Sequence, residues 1–409
     1  MKKRGMREII SWAFFDFGNS AYSLLIMSLA FPLYFKEVIA PGSSSDFYWG
    51  LIVSISVLLG GLLAPIIGAM TDYDKKKKIR LIIFSTISIM ATALLYFTGE
   101  GKIILAAGLF IISNCFFELA FVLYNSFLPD ISTKKNAGRI SGFGWGLGYL
   151  GGLIAMISLR PFYGSGFDGS LDATYRITFP LTAAFFLLFA LPAFIFLRRD
   201  LKSRSANFFN SLRNSFRNLK KTFLEIRSYK SIALFLIGYY LISDVLVTIF
   251  AFIPIYARTT LSMNINEIFI ILLIVQVVAI PGTIFFGWLG DKYSYKKILL
   301  LSIAFWIVSL ILIASAHTKE FFYIAATMVG LVIGSSQSLA RSWLTLLIPI
   351  KKQSEFFGFT GFASKVSATT GPLVFGTIST ITGSQRLAIL SLTPFFILAF
   401  IIFYKIKEK

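Results

Sequence analysis

Asp16, Asn19, Ser20 and Ser23 are spaced i, i+3, i+4, i+7, which puts a carboxylate, an amide and two hydroxyls on one face of a helix. The surrounding stretch is otherwise almost wholly apolar from Ile9 to Phe35. It runs too long for a signal peptide and carries a carboxylate in its middle. An Asp at the centre of a membrane helix costs about 2.5–3.5 kcal/mol on the insertion scale, and such groups usually mark a path for a substrate or a proton. The chemistry on offer is recognition of an ammonium, a proton or a cation by oxygen atoms.

Two more stripes repeat the pattern. Asn114, Glu118, Phe121 and Asn125 are spaced i, i+4, i+7, i+11, and so are Gly334, Ser338, Arg341 and Thr345. A shift of 220 residues carries the first set onto the second, so two related helices present polarity on the same face. A cavity with acids on one wall and a guanidinium on the other suits a small zwitterion. Arg341 can hold a carboxylate through two parallel hydrogen bonds, while Asp16 or Glu118 takes an ammonium. The candidate substrate-binding residues are Asp16, Asn19, Glu118, Asn125, Asp244, Gln337, Arg341 and Lys365, and Glu118 and then Asp16 are the candidates for proton coupling. Asp244 shares a face with Tyr240 and Thr248, although the repeat sets it opposite Tyr22 rather than Asp16. For each charge the plainer role is a structural pair that holds helices together.

These residues need helices that cross a bilayer. Of 409 residues, 56% are hydrophobic and 14% charged, with a mean hydropathy of +0.77; soluble domains carry about a quarter charged residues. Weak period-2 alternation argues against a β-barrel, which leaves helices to satisfy the backbone in lipid. Twelve spans are expected, at roughly 9–36, 47–70, 79–98, 102–128, 139–160, 176–197, 231–257, 265–290, 297–316, 321–348, 355–381 and 386–404. The expected architecture is an all-α integral membrane protein, with twelve transmembrane helices in two pseudo-symmetric six-helix bundles. The bundles are 1–197 and 231–409, joined by a basic linker, 198–230, which has ten Lys or Arg and two acids.

The net charge of +20 would suggest nucleic acid in a soluble protein, but here Lys and Arg sort by membrane side. The termini and the connections on their side hold 30 basic residues and the opposite connections hold seven, so both termini are expected in the cytoplasm of a cell-membrane protein. No nucleic-acid partner is expected; the expected partners are a small-molecule substrate, a coupling proton or cation and the lipid bilayer, around a monomer. One Cys excludes an internal disulfide and a Cys-based metal site, and the single His317 cannot build one, so no cofactor or metal is expected. Gly146, Gly148 and Gly151 match the dinucleotide fingerprint by letter. That motif needs a preceding strand and an open helix N-terminus, whereas this one sits inside an apolar span, where small residues serve helix packing. No phosphate-loop motif is present, and no enzymatic activity is expected.

The two halves also resemble each other in their connections. "GAMTDYDKKKK" from Gly68 returns as "GWLGDKYSYKK" from Gly287, and Pro129, Gly138 and Gly151 return as Pro349, Gly358 and Gly371. A parallel repeat of six spans resembles the major facilitator superfamily. The glycine–Asp–basic pattern resembles that superfamily's loop motif, which implies a gating role for Asp72 and Asp291 on the cytoplasmic side. "WAFFDFGNSAY" from Trp12, "YNSFLP" from Tyr124, "GRISGFGWGLGYLGG" from Gly138 and "QSLARSWLTLLIP" from Gln337 resemble the vacuole-effluxer-like family within it. The resemblance implies a secondary transporter, with amino-acid export as one cargo. The alternatives are a sugar–cation symporter, or a membrane receptor or scaffold that keeps a transporter fold without transporting.

Overall fold

A computed structural model describes residues 5–74, 76–127, 131, 137–163, 172–197, 230–347 and 370–406. Every regular element among them is helical. Among the described residues, ten helical stretches are long and apolar enough to cross a membrane. The first span is α1 (Met6–Ala21), a π-helical segment (Tyr22–Leu29), α2 (Ala30–Tyr34) and a second π-helical segment (Phe35–Ile39). Then come α3 (Ser45–Asp74), α4 (Lys77–Leu94), α5 (Ile103–Ser126), α6 (Ala137–Tyr163), α7 (Asp172–Arg176) and α8 (Thr178–Phe196). The second half holds α9 (Lys230–Thr260), α10 (Ile265–Lys292), α11 (Tyr295–Ser315), α12 (Lys319–Leu347), α13 (Thr370–Thr382), α14 (Gln385–Leu390) and α15 (Thr393–Lys405). The expected spans fall on these helices. Of the eleventh, only α13 and the few residues after it are described, and the linker before Lys230 lies outside the described residues.

Two differences from simple spans stand out. The sixth and twelfth spans are each broken near their start, into α7 with α8 and α14 with α15. The first span contains π-helical turns, whereas its repeat mate α9 is α-helical throughout. π turns take up more residues per unit of rise than α turns. No single shift can therefore align the two spans, which contributes to the offset between Asp16 and Asp244.

The chain forms two compact units, one of residues Met1–Pro41 and Leu62–Phe216 and the other of Gly42–Gly61 and Arg217–Lys409. Helix α3 thus belongs to both, with its first part grouped with the second repeat.

In the first unit, α1 packs on α6 and α8 at close range. A Cβ added at Gly18 would come 2.9 Å from the Phe186 carbonyl oxygen, and one at Gly151 would come 2.1 Å from that of Phe17. Basic side chains close the helix ends, where the last carbonyls lack intrahelical partners. Lys78 Nζ donates to the carbonyls of Ile195 (3.0 Å) and Leu197 (2.7 Å) at the end of α8. Arg176 donates to those of Tyr96 and Thr98, both at 3.4 Å.

The second unit repeats both devices with different residues. Lys296 donates to the carbonyls of Tyr404 (3.0 Å) and Ile406 (2.6 Å), and Arg386 to those of Ala314 (2.9 Å) and Ala316. The repeat is therefore physical: a lysine in the first turn of α4 and one in the first turn of α11 cap corresponding helix ends. The first part of α3 is seated here on glycine. A Cβ at Gly50 would meet the Pro372 carbonyl at 2.3 Å, and one at Gly376 would meet that of Asp46 at 2.5 Å. Trp49 Nε1 donates to Ala251 O at 2.9 Å. At the start of α3, the buried Asp46 carboxylate accepts from Ser379 Oγ and from Gln385 Nε2 (2.7 Å). Gln385 Oε1 in turn accepts from Thr259 (2.6 Å) and Thr260 (2.9 Å). Each buried group in this knot has its partner, and leaving one unpaired would cost about 1–3 kcal/mol.

Candidate functional site

The polar face of α1 survives in the fold. Asp16 and Asn19 are buried, Ser20 is half-buried and Ser23 is exposed. Three features hold Asp16 in place. Trp12, one turn earlier, donates from Nε1 to the Tyr124 carbonyl at 3.0 Å, which ties α1 to the end of α5. The Trp12 ring stacks on the Tyr124 ring at 4.5 Å and 9°, and Phe15 stacks on the same ring at 5.1 Å. With Phe121 at 5.7 Å as well, Tyr124 has little freedom to turn. The side chains of Tyr124 and Asn19 both lie within hydrogen-bonding reach of the Asp16 carboxylate.

Gly148 of α6 completes the surroundings. A Cβ there would lie 2.8 Å from Ser20 Oγ and 3.1 Å from Asp16 Oδ2. The missing side chain is what lets α6 come this close to Asp16 and Ser20. Gly151 makes the backbone approach to α1, while a Cβ at Gly146 would meet nothing within 4 Å. At Gly148 and Gly151 the glycine pattern thus serves the close packing of α6 on α1. The buried Asn19 Oδ1 at this place has no hydrogen-bond partner.

Further along the first span, a chain of hydroxyls from α4 and α5 reaches Tyr22. Thr92 Oγ1 and Ser113 Oγ are 2.7 Å apart, and Ser113 Oγ donates to the Tyr22 hydroxyl at 3.1 Å. Tyr22 stacks on Phe117 at 4.3 Å. Glu118, half-buried on α5, lies close enough for its charge to act on Tyr22 and Cys115. Asp16 and Asn19 thus lie together on α1, Glu118 stands on α5 near Tyr22, and Asn125, on the last turn of α5, is exposed.

In the second unit, Asp244 is fully buried on α9. Its Oδ1 accepts from the backbone N–H of Gly371 at 2.7 Å, and its Oδ2 has no hydrogen-bond partner. A Cβ at Gly371 would meet Thr248 Oγ1 at 2.2 Å, so α9 and α13 touch here as α1 and α6 touch at Gly151, its repeat mate. Gln337 is half-buried on α12. Arg341 lies on α12, Asp72 on α3 and Asp291 on α10, and their side chains are outside the described ones; Lys365 lies outside the described residues altogether. Among the described residues no group of three or more His, Cys, Asp or Glu could hold a metal ion. The residues that sequence reasoning missed are Tyr124 and Gly148. Tyr124 is next to Asn125 in a polar stripe, and Gly148 is one of the three fingerprint glycines.

This fold is that of the major facilitators. The nucleoside transporter NupG matches with a TM-score of 0.71 at 14% identity, covering 98% of this chain and 99% of that one. A D-xylose–proton symporter matches with a TM-score of 0.71 at 14% identity, over 98% and 97%. The family described as "Vacuole effluxer Atg22 like" matches residues 43–138 and 132–409, and the chain belongs to that family. The uncharacterized MFS-type transporter YxiO of Bacillus subtilis is 29% identical, over all of this chain and 97% of its own. Autophagy-related protein 22 of Kluyveromyces lactis is 26% identical, over 86% of this chain and 77% of its own. The protein is a membrane-spanning transporter of the major facilitator type.

Proposed function

We propose that the protein is a secondary active transporter that moves a small polar solute, an amino acid or related zwitterion, by alternating access coupled to a proton or cation. The observation that carries this reading is the buried carboxylate–amide pair Asp16–Asn19, built into a membrane span with Tyr124 beside it. No Lys or Arg among the described residues is bonded to Asp16, and its hydrogen-bonding neighbours are Asn19 and Tyr124. In this reading Arg341 holds the solute's carboxylate, Asp16 or Glu118 takes its ammonium, and Asn125, Gln337, Asp244 and Lys365 complete the recognition. Glu118, near the Tyr22 hydroxyl chain, or Asp16 carries the coupled proton. Asp72 and Asp291 latch one side closed during the cycle.

The test is flux into vesicles containing the purified protein, screened over amino acids and their amide analogues with and without an ion gradient. Arg341→Lys keeps the charge but loses the planar fork. It should weaken binding of the free amino acid at least about tenfold more than binding of its amide, the scale of one charge-assisted hydrogen bond. Equal weakening of both ligands would remove Arg341 from recognition.

The 30-to-7 division of basic residues supports a cell-membrane orientation with both termini cytoplasmic. Single cysteines at Ser165 and Ser205 should then react with an impermeant thiol reagent from opposite sides in intact cells. Reaction from the same side would reverse the assignment.

A further inference from the structure

We propose that the first part of α3, up to Gly61, is a hinged arm: Asp46 latches it inside the second unit, and it swings about Gly60–Gly61 when the latch releases. This deepens the transport reading by naming a moving element, and it rests only on the alternating-access part of that reading.

The two parts of α3 are anchored differently. The later part packs in the first unit, where Ala64 shares a core with Cys115 and Leu119 of α5, and Thr71 Oγ1 accepts from Arg80 at 3.2 Å. The first part is held in the second unit along one face. Asp46, Trp49, Gly50 and Val53 are spaced i, i+3, i+4, i+7, and all four are buried. At the tip, one atom carries two bonds: Asp46 Oδ2 accepts from Ser379 Oγ of α13 and from Gln385 Nε2 of α14. A carboxylate acceptor makes these bonds of the stronger, charge-assisted kind. Below the tip the contact is backbone on backbone, since the carbonyls of Pro372 and Asp46 stand where a Cβ of Gly50 or Gly376 would be. Such a contact has no interlocked side chains to disengage.

The second observation is independent of the latch. The boundary between the units falls between Gly61 and Leu62, and the helix is softest there. Gly60 and Gly61 are adjacent in the interior of α3, where glycine is less stable than any residue but proline. Pro65 has no N–H to offer the Gly61 carbonyl four residues earlier, so that carbonyl lacks its α-helical donor. Helix bends concentrate at proline and at pairs of small residues. Soft backbone between two firm anchors is what a hinge requires. The plainer role, a glycine pair that only serves packing, predicts a first part that leaves its seat only when the unit unfolds.

The experiment is the reaction of single cysteines with a charged methanethiosulfonate reagent, on the purified full-length protein in detergent without any solute. Cys115→Ala removes the natural thiol. Val53→Cys places a thiol on the buried face of the arm, and Ser302→Cys places one in the buried part of α11 in the same unit. Buried groups react through openings that are local or global, and the two positions tell these apart. Asp46→Asn keeps the side chain's shape and removes the charge from both bonds. It should speed reaction at position 53 at least about tenfold, the scale of one charge-assisted hydrogen bond, and leave position 302 unchanged. Gly60→Ala stiffens the hinge and should slow reaction at position 53 at least about threefold, again with position 302 unchanged. Should that variant fail to fold, Pro65→Ala restores the missing donor and carries the same expectation. Parallel changes at both positions, or no change at position 53 in Asp46→Asn, overturn the proposal and leave a fixed seat. An unchanged rate at position 53 in the stiffened variant overturns the hinge. Because no solute is present, the labelling is read apart from the cargo. Solute flux in vesicles with an unmoved position 53 sinks the arm and spares the carrier.

Discussion

Asp16→Asn should abolish ion-driven uphill transport while leaving the protein folded. The substitution keeps the size and shape of the side chain and its capacity to meet Asn19 and Tyr124, and it removes only the charge. Hydrogen bonds to charged groups are worth about 1.5–3 kcal/mol, so the affinity for a coupling ion at this position should fall roughly 10- to 100-fold. Coupling then fails because the empty and loaded carriers are no longer distinguished. The stability effect should run the other way. A buried carboxylate without a basic partner is costly, and its neutral isostere should leave the unfolding temperature unchanged or raised. The measurements are concentrative flux in vesicles and thermal unfolding on the same preparation. Uphill transport at wild-type rates would mean that the cost of Asp16 secures something other than coupling. A large fall in unfolding temperature would point to a structural role.

The second large effect is expected at a glycine with no part in the chemistry. Gly151→Ala and Gly146→Ala make the same change on the same helix, five residues apart, and should have opposite signs. The Cβ at Gly151 would stand 2.1 Å from the Phe17 carbonyl oxygen and 2.6 Å from its carbon, both backbone atoms that cannot rotate away. Helices α1 and α6 would have to separate, and overpacking of this kind costs about 1–3 kcal/mol, at times more. At Gly146 the new methyl group meets nothing, and Ala is better than Gly in a helix by about 0.8–1.0 kcal/mol. Monodispersity and thermal unfolding of the two variants check this. The same sign in both would mean that the close approach of α1 and α6 is not what holds the first unit together.

Much of this protein is legible without coordinates, because the bilayer imposes long apolar helices and those leave plain marks in one dimension. Hydropathy placed the spans within a few residues, as at α10 and α12, since runs of that length have no other reading. The 220-residue shift found the repeat. In the fold, Gly371 touches α9 as Gly151 touches α1, and Lys296 caps a helix end as Lys78 does. The i, i+3, i+4 spacing put Asp16, Asn19 and Ser20 on one face, because helical periodicity is local.

What lies across helices was not legible. Tyr124 is an aromatic in a chain that has 17 tyrosines. It gains its place beside Asp16 from rings on α1 and α5, 112 residues apart for Trp12. The π-helical turns after Ala21 have no signature in composition, and they decide how the first span runs relative to its repeat mate. Asp46 drew no attention in the sequence, yet its carboxylate is held by Gln385, 339 residues away, in the unit formed with the second repeat. Periodicity reports which face a side chain occupies, and only packing decides what that face meets.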